Sequence, residues 1–135
     1  MSLKVNTIML IDDNKIDNFF HERVIRKCDA ATHIIPKGSA IEALAHWQNG
    51  EMLPDIIFLD VNMPRMNGWE FIAEFRKLPL NQKCLIVVMT NDHDDSEDEA
   101  LEAVKGIFHD FRPKPLTAEI LDTVLEKYHS APKPI

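Results

Sequence analysis

The sequence predicts an α/β domain built on a parallel sheet, and three observations predict it. Short apolar runs alternate along the chain with segments of helical period, the order of elements that lays helices against a parallel sheet. The runs are rich in Ile, Val, Leu and Met without polar alternation, as strands covered on both faces are. Polar and charged residues stand at the ends of the runs instead of inside them.

The strand candidates are residues 7–12 (TIMLID), 33–35 (HII), 55–60 (DIIFLD), 84–90 (CLIVVMT) and roughly 106–111 (GIFHDF). After the first, Ile16, Phe19, Phe20, Val24 and Cys28 fall at helical spacing and predict one apolar stripe. Ile41, Leu44 and Ala45 repeat the pattern after the second run, and Phe71, Ile72, Phe75 and Leu78 after the third. Ala100, Leu101 and Val104 follow the fourth. Ile120, Leu121, Val124, Leu125 and Tyr128 follow the last, with Thr117 placed to cap that helix. Five strand-helix pairs result, in one domain over residues 1–130 with a short polar tail over 131–135 and no output domain.

At 135 residues the chain can bury a core without disulfide or structural metal. A hydrophobic share of 45% against 27% charged residues is that of a soluble globular protein. The net charge of -7, with no basic stripe, argues against nucleic acid as a partner. The longest apolar run is too short to span a bilayer, so no membrane role is expected and a cytoplasmic location is. Cys28 and Cys84 lack metal-binding or redox spacing and read as buried thiols. His21, His46 and His129 read as surface residues of helices.

Ligands of an open parallel sheet gather beyond the carboxyl ends of its strands. Asp12 and Asp13 end the first candidate strand, Asp60 the third and Thr90 the fourth, while Lys114 follows the fifth. Unit charges about 4 Å apart repel by roughly 4 kcal/mol at an effective dielectric of 20, so converging acids need positive charge among them. Lys114 supplies one charge, and a hard divalent cation, magnesium being the natural candidate, supplies the rest. Phosphoryl groups are then the expected guests. For Asp12 and Asp13 a helix-capping role is the alternative. Asp60 fits that alternative poorly, because a turn follows it.

These motifs carry a resemblance. "IMLIDDN", "PDIIFLDVNMPRMNGWEF", "IVVMT" and "DFRPKPL" together resemble the response-regulator receiver domain of two-component signalling, from about Thr7 to Tyr128. The resemblance implies a flavodoxin-like doubly wound fold, with strand order 2-1-3-4-5 and five flanking helices. It implies that Asp60 is the phosphoacceptor, receiving a phosphoryl group from a histidine kinase or phosphotransfer protein. Asp13 then resembles a direct magnesium ligand, Asp12 one acting partly through water, and Asn62 the residue whose main-chain carbonyl completes the set with Asp60. Lys114 is similar to the residue that pairs with the phosphoryl group, and Thr90 to the hydroxyl that turns to it. Phe111 stands at the position of the switch ring, with core packing as its alternative, and Pro115 at that of a cis peptide bond. Met63, Pro64 and Gly68 fit the turn after the acceptor, the glycine freeing the backbone there.

The resemblance also implies a signalling domain rather than an enzyme, with an unknown downstream protein as target. The face of the last two helices and the last strand is the family's output surface. Asn91 departs from the family's preference for a small residue and is expected to slow phosphoryl exchange. Residues 91–100 invite a calcium-loop reading, but Glu97 and Ala103 stand where such a loop needs glycine and a bidentate glutamate. Two other functions compete: a phosphorylation-independent interaction module, and a phosphoryl hydrolase with an Asp nucleophile. The first is disfavoured by the intact Asp13, Asp60, Thr90 and Lys114. The second would want an acid where Asn62 stands, and a cap insertion.

Overall fold

The computed structural model describes residues 4–50, 52–78, 84–90 and 110–130. Five strands form one sheet: β1 (Val5–Ile11), β2 (Ala31–Lys37), β3 (Ile56–Asp60), β4 (Leu85–Thr90) and β5 (Asp110–Pro113). All neighbours pair in parallel, in the order β2-β1-β3-β4-β5 that the sequence led us to expect. The helices among the described residues are α1 (Lys15–Lys27), α2 (Ala40–Gln48), α3 (Gly68–Phe75) and α4 (Ala118–Ser130). The helix expected around Ala100, Leu101 and Val104 lies outside the described residues, as do Asn91 and the calcium-loop segment.

The strands lack alternation because both faces of the sheet are covered. Met9, Ile11, Ile57, Leu59, Ile86 and Val88 point to one side, where Ala43 of α2 and Phe71, Ile72 and Phe75 of α3 pack on them. Ile8, Leu10, Ile56, Phe58, Val87 and Met89 point to the other, against Ile25 of α1 and Leu121, Val124 and Leu125 of α4. Proline cannot donate to a ladder, and it stands only in the outer strands, Pro36 in β2 and Pro113 at the end of β5. Strand β5 is displaced toward the C-terminus from the expected run at 106–111, of which residues 106–109 lie outside the described residues.

The helix faces are where the sequence misleads. Ile16, Phe19 and Phe20, expected to be buried, are 77%, 64% and 48% exposed, while α1 buries Asn18, His21 and Ile25. Polar groups turn inward because main chain awaits them: Asn18 Nδ2 donates to the carbonyls of Asp12 and Lys37, both at 3.1 Å, joining the ends of β1 and β2. In α2 the buried residues are Ala40, Ala43 and His46, whereas Ile41 faces solvent. The imidazole of His46 reaches the Met52 carbonyl, so this histidine is also internal. Only His129 keeps the expected surface position. Helix α3 buries Phe71, Ile72 and Phe75 as expected and α4 buries Leu121, Val124 and Leu125, whereas Leu78, past the end of α3, and Ile120 and Tyr128 are half-buried; Thr117 Oγ1 accepts from Ile120 N at 3.1 Å as the α4 cap.

Gly68 follows the β3–α3 turn, where Gly68 N donates to Val61 O at 2.9 Å and Asn67 and Glu70 form a reciprocal capping box. The sequence reading gave this glycine conformational freedom, but close approach is what requires it. A Cβ there would lie 2.7 Å from the Asp60 carbonyl oxygen and 2.9 Å from Val61 Cα. Both neighbours are backbone and cannot swing aside. Gly68→Ala is expected to lower stability by about 1–3 kcal/mol, the usual range for overpacking, when urea unfolding of the two proteins is compared. A loss below a few tenths of a kcal/mol would contradict the close-approach account.

Candidate functional site

The carboxyl ends of β1, β3 and β4 bring Asp12, Asp60 and Thr90 to one edge of the sheet, each buried. Asp12 N bonds the Lys37 carbonyl at 3.1 Å, and Asp12 Oδ1 accepts from Asn14 N at 2.9 Å, so the chain turns sharply after β1. Asn14 caps α1, its Oδ1 accepting from Ile16 N and Asp17 N. The capping role open to Asp12 and Asp13 is therefore filled by another residue, which leaves both carboxylates for the pocket.

Lys114 enters from the far side of the sheet. Its N–H donates to the Thr90 carbonyl at 2.9 Å, and the Lys114–Pro115 peptide bond is cis. Its side chain is 6% exposed, and Nζ lies 2.6 Å from Asp12 Oδ2, 2.9 Å from Asp17 Oδ2 and 3.2 Å from Asp60 Oδ1. Burial alone would lower this ammonium's pKa, but hydrogen bonds to Asp12 and Asp17 and the charge of Asp60 outweigh it, and the pKa is raised. Lys114 stays charged.

One carboxylate oxygen from each of Asp12, Asp13 and Asp60 lies within 4.8 Å of the others. Burial first, and the neighbouring Asp12 charge second, push Asp60 up to about 6 against the opposing pull of Lys114. Asp60 is thus still ionised at neutral pH yet short of positive charge. Hard oxygen donors with excess negative charge fit a divalent cation of the magnesium type. Asp12 and Asp60 would hold it from the pocket floor and the exposed Asp13 from its rim.

Asn62 lies exposed in the turn two residues past Asp60. Phe111, in β5 opposite Val88, is half-buried and stacks on Trp69 with ring centroids 6.1 Å apart and planes 19° apart. Sequence reasoning missed Asp17, Asn18 and His21. Asp17 was open to discovery, since it lies one helical turn after Asp13 on a helix that starts at the site. Asn18 and His21 gave no apolar signal. With Phe58, Met89 and Lys114, they line a small pocket behind Asp12 and Asp60. Burial and then the Lys114 charge lower the pKa of His21, which keeps its ring neutral.

A carboxylate held at a strand end, beside an ammonium and a cation site, can attack phosphorus while its surroundings absorb the negative charge of the phosphoryl oxygens. Known proteins share the arrangement's frame. A two-component response regulator from Cytophaga hutchinsonii superposes with a TM-score of 0.83 at 29% identity, over 95% of this chain and 99% of that one. Two-component response regulator 24 of Arabidopsis thaliana is 27% identical over 121 residues, covering 90% of this chain and 82% of the relative. Sensor histidine kinase CheAY of Helicobacter pylori is 26% identical over 122 residues, but the match spans only 14% of that longer protein. The family model for the response regulator receiver domain matches residues 8–126, nearly all of the sheet and its helices, and the chain therefore belongs to the response regulator receiver domain family.

Proposed function

We propose that the protein is the phosphoacceptor switch of a two-component phosphorelay, with Asp60 as the residue that takes the phosphoryl group. Receiver domains are phosphorylated by histidine kinases or phosphotransfer proteins, and such a partner is the donor in this reading. The observation that carries it is the meeting of Asp12, Asp13 and Asp60 oxygens within 4.8 Å, with Lys114 Nζ 3.2 Å from Asp60 Oδ1.

In the proposed transfer an Asp60 oxygen forms the new bond to phosphorus as the phosphorus–nitrogen bond of the donor phosphohistidine breaks. The imidazole leaves with the electron pair and takes up a proton. The product is an acyl phosphate on Asp60. Lys114 stays protonated and donates to a phosphoryl oxygen, so the charge arriving at Asp60 meets an ammonium already in place. Asp12, Asp13, Asp60 and the Asn62 carbonyl would hold the magnesium. When bound, it neutralises carboxylate and phosphoryl oxygens and orients them. The apolar floor formed by Leu10, Phe58 and Met89 keeps Asp60 aimed.

In this reading Thr90 and Phe111 are the switch pair. The Thr90 hydroxyl turns to the phosphoryl group and the Phe111 ring, resting on Trp69, moves in response, altering the surface that a downstream protein reads. The switch supports only its own phosphorylation and dephosphorylation. A cytoplasmic setting accords with the thiols of Cys28 and Cys84, which form no disulfide.

Incubation with acetyl phosphate and magnesium is expected to add one phosphoryl mass to the protein, and Asp60→Asn to abolish it. Unmodified wild type under those conditions would overturn the reading and favour a passive interaction module. Steady release of phosphate from many substrates would favour a hydrolase.

Stability should depend on pH through Asp60. Its folded pKa of about 6 lies above the ordinary 3.8, so the folded state holds the proton more tightly than the unfolded chain does. That favourable difference is complete below about 3.8 and is lost as pH rises through about 6. In EDTA, Asp60→Asn is therefore expected to be more stable than wild type at pH 7.5, by at most about 3 kcal/mol at roughly 1.4 kcal/mol per pKa unit. The gap should close toward pH 4, and magnesium should raise the melting temperature of wild type but not of Asp60→Asn. A pH-independent difference in denaturant unfolding contradicts this account of Asp60.

A further inference from the structure

We propose that Asp17 is a positioning residue that holds the Lys114 ammonium toward α1 and limits how much of its charge reaches a phosphoryl group on Asp60. The inference rests on the reading of Asp60 as phosphoacceptor.

An ammonium has three N–H donors, and Lys114 has three carboxylates around it: Asp12 Oδ2 at 2.6 Å, Asp17 Oδ2 at 2.9 Å and Asp60 Oδ1 at 3.2 Å. Its side chain is 6% exposed, so water has little access to replace any of them. A phosphoryl oxygen on Asp60 gains Lys114 only by displacing one of these acceptors. Asp60 loses its own charge when it is acylated. Asp12 belongs to the carboxylate cluster suited to a divalent cation, whose other members are Asp13 and Asp60. Asp17 is the acceptor that neither event removes.

Asp17 is also fixed in place. It sits in the first turn of α1, and its N–H donates to Asn14 Oδ1 at 3.2 Å, while Asn14 N donates to Asp12 Oδ1 at 2.9 Å. The cap thus couples the two carboxylates that grip Lys114 from the β1–α1 side. A purely structural role for Asp17, as an acid offsetting the helix dipole, would need none of this contact with Lys114. A first-turn carboxylate serves the dipole equally well facing solvent.

Two consequences separate the roles. Without the Asp17 charge, Lys114 turns fully to the phosphoryl site, and a phosphodonor anion meets less repulsion. Lys114 then also leans harder on Asp12 and Asp60 and competes there with the cation.

The test uses Asp17→Asn, which keeps shape and removes charge, alone and combined with Lys114→Met. Two quantities are measured: the rate of phosphoryl uptake at subsaturating acetyl phosphate, and the magnesium dissociation constant by calorimetry. Even with the full screening of bulk water, one unit charge about 4 Å away corresponds to about a fivefold change, which is the smallest effect the removed charge should have. Asp17→Asn is expected to speed uptake and weaken magnesium binding by at least that factor, and to change both less than about twofold when Lys114 is already Met. Unchanged rates and affinity in Asp17→Asn, or equal changes with and without Lys114, overturn the proposal. If wild type takes up no phosphoryl group, the phosphoacceptor reading fails. The magnesium measurements on the four proteins still decide whether Asp17 acts through Lys114.

Discussion

The pocket depends on one buried ammonium shared among three acids. Without Lys114, Asp12 and Asp60 would lie side by side at 4% and 6% exposure, an arrangement that burial and mutual repulsion both disfavour. With it, the charges are held but not balanced, since Asp13 joins the same cluster from its rim. The remaining deficit of positive charge is the property that makes the site useful. A fully compensated cluster would have no reason to accept a cation, and a carboxylate with all its lone pairs engaged would be a poor nucleophile.

Much of the surrounding fold serves to hold that unfavourable arrangement. The sheet brings three strand ends together, and its two covered faces make those ends rigid. Asn18 ties the end of β1 to the end of β2 through two carbonyls, so the Asp12 turn cannot drift. Gly68 lets the β3–α3 turn fold directly onto the Asp60 carbonyl, and Lys114 is tethered to Thr90 through the main chain. Each contact is ordinary in strength. Together they fix acids that would otherwise separate.

The three inner strands and their ends were legible because burial on both faces leaves a strong record, a long apolar run that stops at a polar residue, whereas the outer strands β2 and β5 carry no such run and their bounds were read less well. The same logic made Asp12, Asp60, Thr90 and Lys114 readable from their positions alone. Helix faces were less legible. In α1 the apolar residues Ile16, Phe19 and Phe20 face outward, while Asn18 and His21 go in, and for Asn18 the main-chain carbonyls of Asp12 and Lys37 are the reason. Hydrophobic periodicity carries no information about such partners. Asp17 was obscured for a related reason, since an acid in a first turn already has a bland explanation in the helix dipole.

The two acids at opposite ends of β3 show why position alone does not make a carboxylate reactive. Asp55 immediately precedes β3 and Asp60 ends it, so they mark opposite edges of the same sheet. Asp55 Oδ2 accepts from the main-chain N–H groups of Asn6 and Thr7, both at 3.0 Å, and its Oδ1 accepts from the Tyr128 hydroxyl at 3.0 Å. Burial, then that hydrogen bond to Asp55, pushes the phenol up to about 12, so the proton stays on oxygen and the contact stays a donated hydrogen bond. Asp55 thereby fastens α4 and β1 to the foot of β3, and its charge is spent on structure. Asp60 meets one shared ammonium at 3.2 Å and two like charges. The acid whose oxygens are satisfied by the fold holds the sheet together, and the acid the fold leaves short of partners is the one to which the proposed function gives the cation and the phosphoryl group.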